Sequence, residues 1–318
     1  MSQKVPVGDV LNEAVQFGLH RWATVLRFAW LPFVISIGLF LGYVIVAFGT
    51  AVLTMESGES DWETIKSAMQ FSVPVMIVLG IIVYAIAILL YCGVAASIFR
   101  LVALGEERPG IFQLRVDGPA VRVFMAYLII SVIGIVIWGA AFTIALNMSD
   151  ESWGSVGTAF MRLIEWAAAT EANETTDLEA FSALADSLKA FGLAFLIAII
   201  PQIYVSVKLA PFPAGSAAEN RLLLFGSFGM TFGHAWSIFF IFVLFIIFMI
   251  VLTIIYELAM LIFQMLAGVL VVQGGLFALI AAAIFIGIFI VSVFYQLFIV
   301  ALQMSIPAII YRRLKTGE

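Results

Sequence analysis

Six long apolar runs constrain the fold of this chain more than any other feature. They lie at about residues 28–55, 74–99, 123–147, 189–209, 237–266 and 276–311. An α-helix of about 20 apolar residues crosses a hydrocarbon core of roughly 30 Å. The strands of a membrane barrel alternate between polar and apolar residues instead, whereas these runs are continuous. The sequence therefore predicts an all-α integral membrane protein with six transmembrane helices.

Composition supports a single membrane domain over residues 1–318. Hydrophobic residues make up 64% of the chain and charged residues 11%, against about half and a quarter in soluble domains. The one cysteine, Cys92, lies inside the second run, which excludes a disulfide framework and a thiolate metal site. Asp9 and Glu13 precede the first run, so we expect that run to be retained rather than cleaved as a secretory signal.

The distribution of charge predicts the orientation. The N-terminal tail, the 100–122 and 208–235 loops and the C-terminal tail hold 12 of the 15 basic residues. The opposite side is acidic, mostly between Asp150 and Asp186. Cytoplasmic loops carry the basic excess in membrane proteins, so both termini are predicted to face the cytoplasm.

Two pairs of similar segments predict an internal repeat. Residues 93–106, GVAASIFRLVALGE, resemble residues 305–318, SIPAIIYRRLKTGE, and FGLHRWATVLRFAW at Phe17 resembles FGMTFGHAWSIFFIF at Phe228. A middle unit fits between them, from Phe112 to Lys208. These similarities predict three parallel-repeat hairpins, each preceded by a cytoplasmic interfacial segment, in units of about 9–107, 108–210 and 211–318. The alternative is that apolar hairpins resemble one another by composition alone.

Three further segments carry structural expectations. Apolar residues recur at helical spacing between Leu11 and Leu26, which predicts an amphipathic interfacial helix. The outer loop at 148–188 predicts a helical cap, with a capping box in TDLE at Thr176–Glu179. The last two runs are longer than one bilayer requires, so we expect tilt, an interfacial segment or a break near Gly274 and Gly275.

The stretch SFGMTFGHAW, at 227–236, follows LAPFPAGSAAENR. It resembles a pattern of an uncharacterised family of six-span bacterial membrane proteins, related to the membrane domain of some glycerophosphodiester phosphodiesterases. The matching positions are Ser227, Phe228, Thr231, Gly233 and Trp236. The resemblance implies a bacterial inner-membrane location. Phe232 stands where that pattern has a basic residue, and the hydrolase domain is not in this sequence, so we do not expect hydrolase activity.

The sequence offers little chemistry. His20 and His234 are its only histidines, both in predicted interfacial segments, and no recognised catalytic or phosphate-binding motif is present. We therefore predict a protein that is not an enzyme and has no catalytic residue, metal or cofactor.

Basic residues at the ends of the runs are candidates for binding lipid headgroups. Each cation near an anionic membrane surface contributes about 1 kcal/mol, although the same residues in the same places also serve as ordinary topology anchors. Three of them end returning helices and two begin outgoing ones: Arg100, Lys208 and Arg312, then Arg27 and Arg122.

Polar residues within the runs form a second set of candidates. Glu257 is the one acid embedded in a run, and a carboxylate there can couple ions or protons. It also lies about 30 Å from Trp236 along a helix, which favours the outer interface. The others either line a cavity or bond between helices: Gln202, Tyr204 and Ser206 on the fourth span, and Ser292, Tyr295, Gln296 and Gln303 on the sixth.

These observations predict a non-enzymatic inner-membrane protein that interacts with lipid or acts as an accessory component of the envelope or of a membrane complex. The expected partners are membrane lipids, anionic ones among them, and other membrane proteins, but not nucleic acid. The alternative is a small-solute or ion transporter or channel that uses the polar faces of helices 4 and 6.

Overall fold

A computed structural model describes the backbone of residues 5–56, 62–107, 110, 113–149, 154 and 178–317. It describes the side chains of residues 5–46, 74–107, 110, 113–149, 154 and 189–317. This part of the chain is helical and contains no strand. Its helices are α1 (Val7–His20), α2 (Trp22–Glu56), α3 (Trp62–Leu104), α4 (Gly118–Met148), α5 (Leu178–Leu209), α6 (Phe212–Glu219), α7 (Leu224–Met230), α8 (Ala235–Gln273) and α9 (Gly275–Thr316).

Within the described ranges, six segments are long and apolar enough to cross a membrane, as the sequence predicted. Large apolar side chains cover their outer surfaces: Ile45 is 69% exposed and Ile135 is 70% exposed. Soluble proteins rarely expose apolar patches of this extent, so these surfaces face lipid. The six segments are Trp22–Val46, Pro74–Leu104, Gly118–Met148, Lys189–Glu219, Ala235–Gln273 and Gly275–Thr316.

The chain forms two compact units. One consists of Met1–Ala126 with Ala210–Glu318, and the other of Tyr127–Leu209. The second unit pairs most of α4 with α5. Its core is a small buried cluster of Phe142, Ala145, Leu146, Ala190 and Ala194. The exposed Phe191 ring lies 4.8 Å from the Phe142 ring at its edge.

The first unit is built on two long hairpins, α2–α3 and α8–α9. Helix α9 packs against α3 and α2, and α1 packs along α9 and α8. Gly18 allows this packing, because a Cβ there would lie 2.8 Å from the Phe298 ring. Val10, Ala14 and Gly18 form the buried face of α1. An amphipathic helix is therefore present, but it ends at His20, whereas the predicted pattern continued to Leu26. Its buried face packs on protein.

The ends of α3 and α9 form a buried core with α1 and α6, which we call the polar end because charged residues surround it. Residues 301–302, 304–306 and 308–311 of α9 are buried there. Helix α6 is buried from Phe212 to Ala217, where the sequence suggested only a loop. A Cβ on Gly215 would lie 2.9 Å from both Leu223 and Tyr311. The small residues of α6 thus allow it to enter the core.

The break expected near Gly274 and Gly275 is confirmed. Helix α8 has 39 residues and α9 has 42, so each is about 60 Å long. Gly274 (φ +69°) and Gly275 (φ +55°) adopt backbone angles that other residues rarely tolerate. These two glycines make the turn between the helices.

About two thirds of the predicted outer cap lies outside the described residues. The described part of helix α5 extends from Leu178, and the first two residues of the predicted capping box lie outside the described residues. Residues 155–177, which include most of the apolar positions of the cap, are not described.

Candidate functional site

Arg100, a predicted headgroup ligand, is held by groups of this chain. Its Nε donates to Glu106 Oε2 at 2.6 Å. Its Nη1 donates to the carbonyl oxygen of Ala217 at 2.9 Å and to Asn220 Oδ1 at 3.3 Å. This arginine ties the end of α3 to α6.

Arg312 plays a similar part at the end of α9. It donates to the carbonyl oxygen of Val102 at 3.2 Å and forms an ion pair with Glu13 of α1. Arg313 Nη2 lies 3.3 Å from the same carboxylate. Glu13 therefore fixes α1 to the last turns of α9.

Arg122 and Lys208 also have contacts within the chain. Arg122 Nη1 donates to Asn220 Oδ1 at 3.3 Å. Lys208, in the second unit, is 7% exposed, and its Nζ lies 5.9 Å from the centre of the Tyr204 ring. Arg27 differs from the other four candidates. It is exposed and has no partner among the described residues.

The polar end contains a cluster around Glu219 that the sequence did not indicate. Its carboxylate accepts hydrogen bonds from the Tyr311 hydroxyl at 2.7 Å, from Lys315 Nζ at 3.0 Å and from Arg221 Nη2 at 2.8 Å. Glu219 is 18% exposed at its side chain and Tyr311 is 1% exposed. The spacing of Tyr311 and Lys315 places them on one face of α9. No pattern in the sequence predicts that Glu219 is the carboxylate they contact.

Two of the polar residues predicted on the sixth span, Ser292 and Tyr295, form hydrogen bonds to the neighbouring helix. Ser292 accepts from the Tyr256 hydroxyl at 2.7 Å, and the Tyr295 hydroxyl lies 2.9 Å from Thr253 Oγ1. The Tyr256 and Tyr295 rings stack 3.8 Å apart. These four side chains join α8 to α9. For Ser292 and Tyr295 this is the second of the two predicted uses, hydrogen bonding between helices.

The other intramembrane candidates do not meet in one cavity. Gln303 borders a depression of about 410 Å³ between α8 and α9, and Gln296 borders a different pocket. Gln202 lies in the second unit, where its buried Oε1 has no hydrogen-bond partner among the described residues. Glu257 is exposed on the surface of α8. The structure therefore does not assemble them into one site.

Gln296 borders a pocket of about 620 Å³ between α2, α3 and α9. Pockets that bind small molecules have volumes of about 300–1,000 Å³ and are mostly apolar. This one has mostly apolar walls with a few hydroxyl and amide groups. Its lining residues are Leu26, Ala29, Trp30, Pro32, Phe33, Val34 and Ser36 of α2, Ala87, Tyr91 and Val94 of α3, and Phe289, Ser292, Val293, Gln296, Leu297 and Val300 of α9.

Neither histidine belongs to a candidate metal centre. Within the described ranges, no group of three or more His, Cys, Asp or Glu side chains is placed to hold a metal ion. His20 Nδ1 lies 3.0 Å from the carbonyl oxygen of Gln16 in its own helix.

The six apolar helices of the described part of the chain define a multi-pass membrane protein. Comparisons with protein-family models, with curated protein sequences and with solved structures give no match. The function must therefore be argued from the chain's own residues.

Proposed function

We propose that this protein is a non-enzymatic lipid-binding protein of the bacterial inner membrane, acting as an accessory component of the envelope or of a membrane complex. The pocket between α2, α3 and α9 carries the proposal. Its walls are made of span residues, from Leu26 to Ser36 on α2. A pocket with apolar walls beside hydrocarbon fits a lipid acyl chain better than a hydrated solute.

Lipid analysis of the purified protein tests this proposal. After extensive washing in detergent, we expect about one phospholipid to remain for each protein molecule, because a chain enclosed on three sides exchanges more slowly than lipid on an open helix face. Quantitative mass spectrometry of extracted lipid gives the ratio. A ratio that falls to zero with continued washing would remove the basis for the proposal.

The proposal includes three parallel hairpins. Two features support the repeat. Arg100 and Arg312, which the repeat aligns, each bind a carboxylate and a backbone carbonyl oxygen. The segments beginning at Phe17 and Phe228 each run from a short helix through a bend into a long apolar helix.

The proposal also places both termini in the cytoplasm, and labelling tests this orientation. Cys92 is buried, so a Cys92→Ala background allows single cysteines to be introduced elsewhere. We expect Thr316→Cys and Gly8→Cys to react with a membrane-impermeant maleimide only after the cells are broken. Labelling of either cysteine in intact spheroplasts would show that the orientation is the opposite of the proposed one.

A transporter is the second candidate, because polar side chains lie between the apolar helices α8 and α9. Thr253, Tyr256, Ser292 and Tyr295 form a short polar row inside apolar helices. A transport path requires polar groups that are free to contact a solute, whereas these hydroxyls bond to one another. Reconstituted vesicles test for solute flux. A flux that disappears in the Glu257→Gln protein, at unchanged expression, would favour transport over lipid binding.

A further inference from the structure

Arg27 stands apart from the other basic residues of the protein. Each of the other lysine and arginine side chains within the described ranges contacts a group of the chain, whereas Arg27 is exposed and contacts none. It is also the last charged residue before an apolar run that extends to Glu56. Its flexible stem can follow the apolar surface while the guanidinium reaches the headgroup layer. Arg27 therefore marks the edge of the span.

The helical register places Arg27 at one end of the pocket. Arg27, Trp30 and Val34 follow the i, i+3, i+7 spacing of a single helix stripe, and Trp30 and Val34 line the pocket. The α2 lining extends from Leu26 to Ser36, about 15 Å along the axis. That length is half of a hydrocarbon core of roughly 30 Å. The pocket thus has the depth of one lipid leaflet, with a cation at the end nearer the headgroup layer.

Gln296 supplies the second polar group. It lies on the pocket wall, is exposed, and has no hydrogen-bond partner among the described residues. The Trp22 and Phe294 rings are 5.2 Å apart, so this part of α9 lies beside the first turns of α2. An amide in apolar surroundings is stabilised when it finds a partner. Gln296 therefore indicates an occupant that carries a hydrogen-bond acceptor in addition to its charged group.

We infer that the pocket binds one glycerophospholipid: its acyl chain lies between α2, α3 and α9, Gln296 donates to an ester carbonyl, and Arg27 binds the phosphate. This inference rests on the proposed function and adds the lipid class and its ligands. A fatty acid lacks the ester carbonyl, and a diacylglycerol lacks the phosphate. The inference therefore predicts that the protein binds a glycerophospholipid more tightly than a fatty acid or a diacylglycerol.

Native mass spectrometry with added lipid tests the role of Arg27. The delipidated protein is titrated with phosphatidylglycerol and with diacylglycerol that carries the same acyl chains. We expect the wild type to prefer phosphatidylglycerol by about fivefold, the effect of one cation on an anionic headgroup. Arg27→Gln removes this preference and Arg27→Lys keeps it. Arg221→Gln is the matched control, because it removes an exposed cation that lies outside the pocket.

A second pair of variants tests the acyl-chain site. Ala87→Phe fills the pocket and is expected to weaken the binding of both lipids at least tenfold. Ala85→Phe adds the same ring to an exposed position of α3 that is not part of the pocket wall, so it should leave both lipids bound. If Ala87→Phe does not yield a monodisperse protein, Ser36→Phe fills the pocket from α2 instead.

The outcomes separate the inference from the proposed function. A preference for phosphatidylglycerol that survives Arg27→Gln overturns the role of Arg27 while lipid binding stands. Equal binding by the Ala87→Phe and Ala85→Phe proteins places the lipid elsewhere and overturns the pocket assignment. If the wild type binds neither lipid, both the inference and the proposed function fail.

Discussion

Replacing Gly93 by alanine is expected to destabilise the protein by about 3 kcal/mol, at the upper end of the range for overpacked cores. Gly93 lies in α3, where the segment before α4 folds back onto the helix. A Cβ at this position would lie 2.2 Å from the carbonyl oxygen of Arg115. The neighbour is backbone, which cannot rotate away as a side chain can. The segment must therefore move, and the buried Arg115 and its ion pair with Asp117 at 2.7 Å must move with it.

Thermal unfolding in detergent, followed by tryptophan fluorescence, measures this effect. Gly42→Ala is the matched control, because nothing lies within 4 Å of a Cβ added in the middle of α2. Alanine also has the higher helix propensity, by about 1 kcal/mol, so the control is expected to melt at the wild-type temperature or above it. Equal melting temperatures for the two variants would show that the segment does not pack on Gly93.

Replacing Glu219 by alanine is expected to cost about 2–3 kcal/mol, the range for losing hydrogen bonds to a charged group. The carboxylate accepts hydrogen bonds from Tyr311, Lys315 and Arg221. Without it, the hydroxyl of the buried Tyr311 loses its acceptor, and the Lys315 and Arg221 cations lose their nearest anion. Helix α6 then loses its main polar link to α9.

A double-mutant cycle with Tyr311→Phe isolates the buried bond. Tyr311→Phe alone is expected to cost about 1 kcal/mol, and the double variant less than the sum of the two changes. Asp9→Ala is the control, because Asp9 is 70% exposed and lies 4.0 Å from Arg313. Exposed ion pairs contribute about 0–1 kcal/mol. Unfolding temperatures that match for Glu219→Ala and Asp9→Ala would contradict the importance of the cluster.

The membrane helices could be predicted because hydrocarbon allows few solutions. Backbone groups inside a bilayer must bond within a helix or a closed barrel, so a long apolar run specifies a helix without reference to the rest of the chain. The turn at Gly274 and Gly275 was also visible, since paired glycines interrupt an apolar run there. These features depend on local sequence.

The polar end could not be predicted, because its contacts join distant parts of the chain. The sequence shows that Arg100 and Arg312 end long helices, but not that Glu106 and Glu13 bind them. Helix α6 contains Pro, Ala, Gly and Ser, a composition typical of a loop, and its burial depends on the space between α3 and α9. The basic residues predicted at the ends of the runs do lie near helix ends, yet only the structure separates Arg27 from the residues that have partners.

The pocket was also beyond sequence reasoning, since three helices contribute its walls. Gln296 and Gln303 lie seven residues apart and were expected to share a face of the last span. The structure places them beside different depressions, because α2 and α3 flank one and α8 flanks the other. A side chain's register on its own helix does not determine which neighbour it meets.

An electron cryomicroscopy map of the protein in nanodiscs made from its own lipids, with a bound antibody fragment to add mass, tests the central claim most directly. The lipid-binding account predicts continuous density for one acyl chain between α2, α3 and α9, with headgroup density at Arg27. A pocket closed by the movement of α2 onto α9, or one that holds no ordered chain, would contradict it.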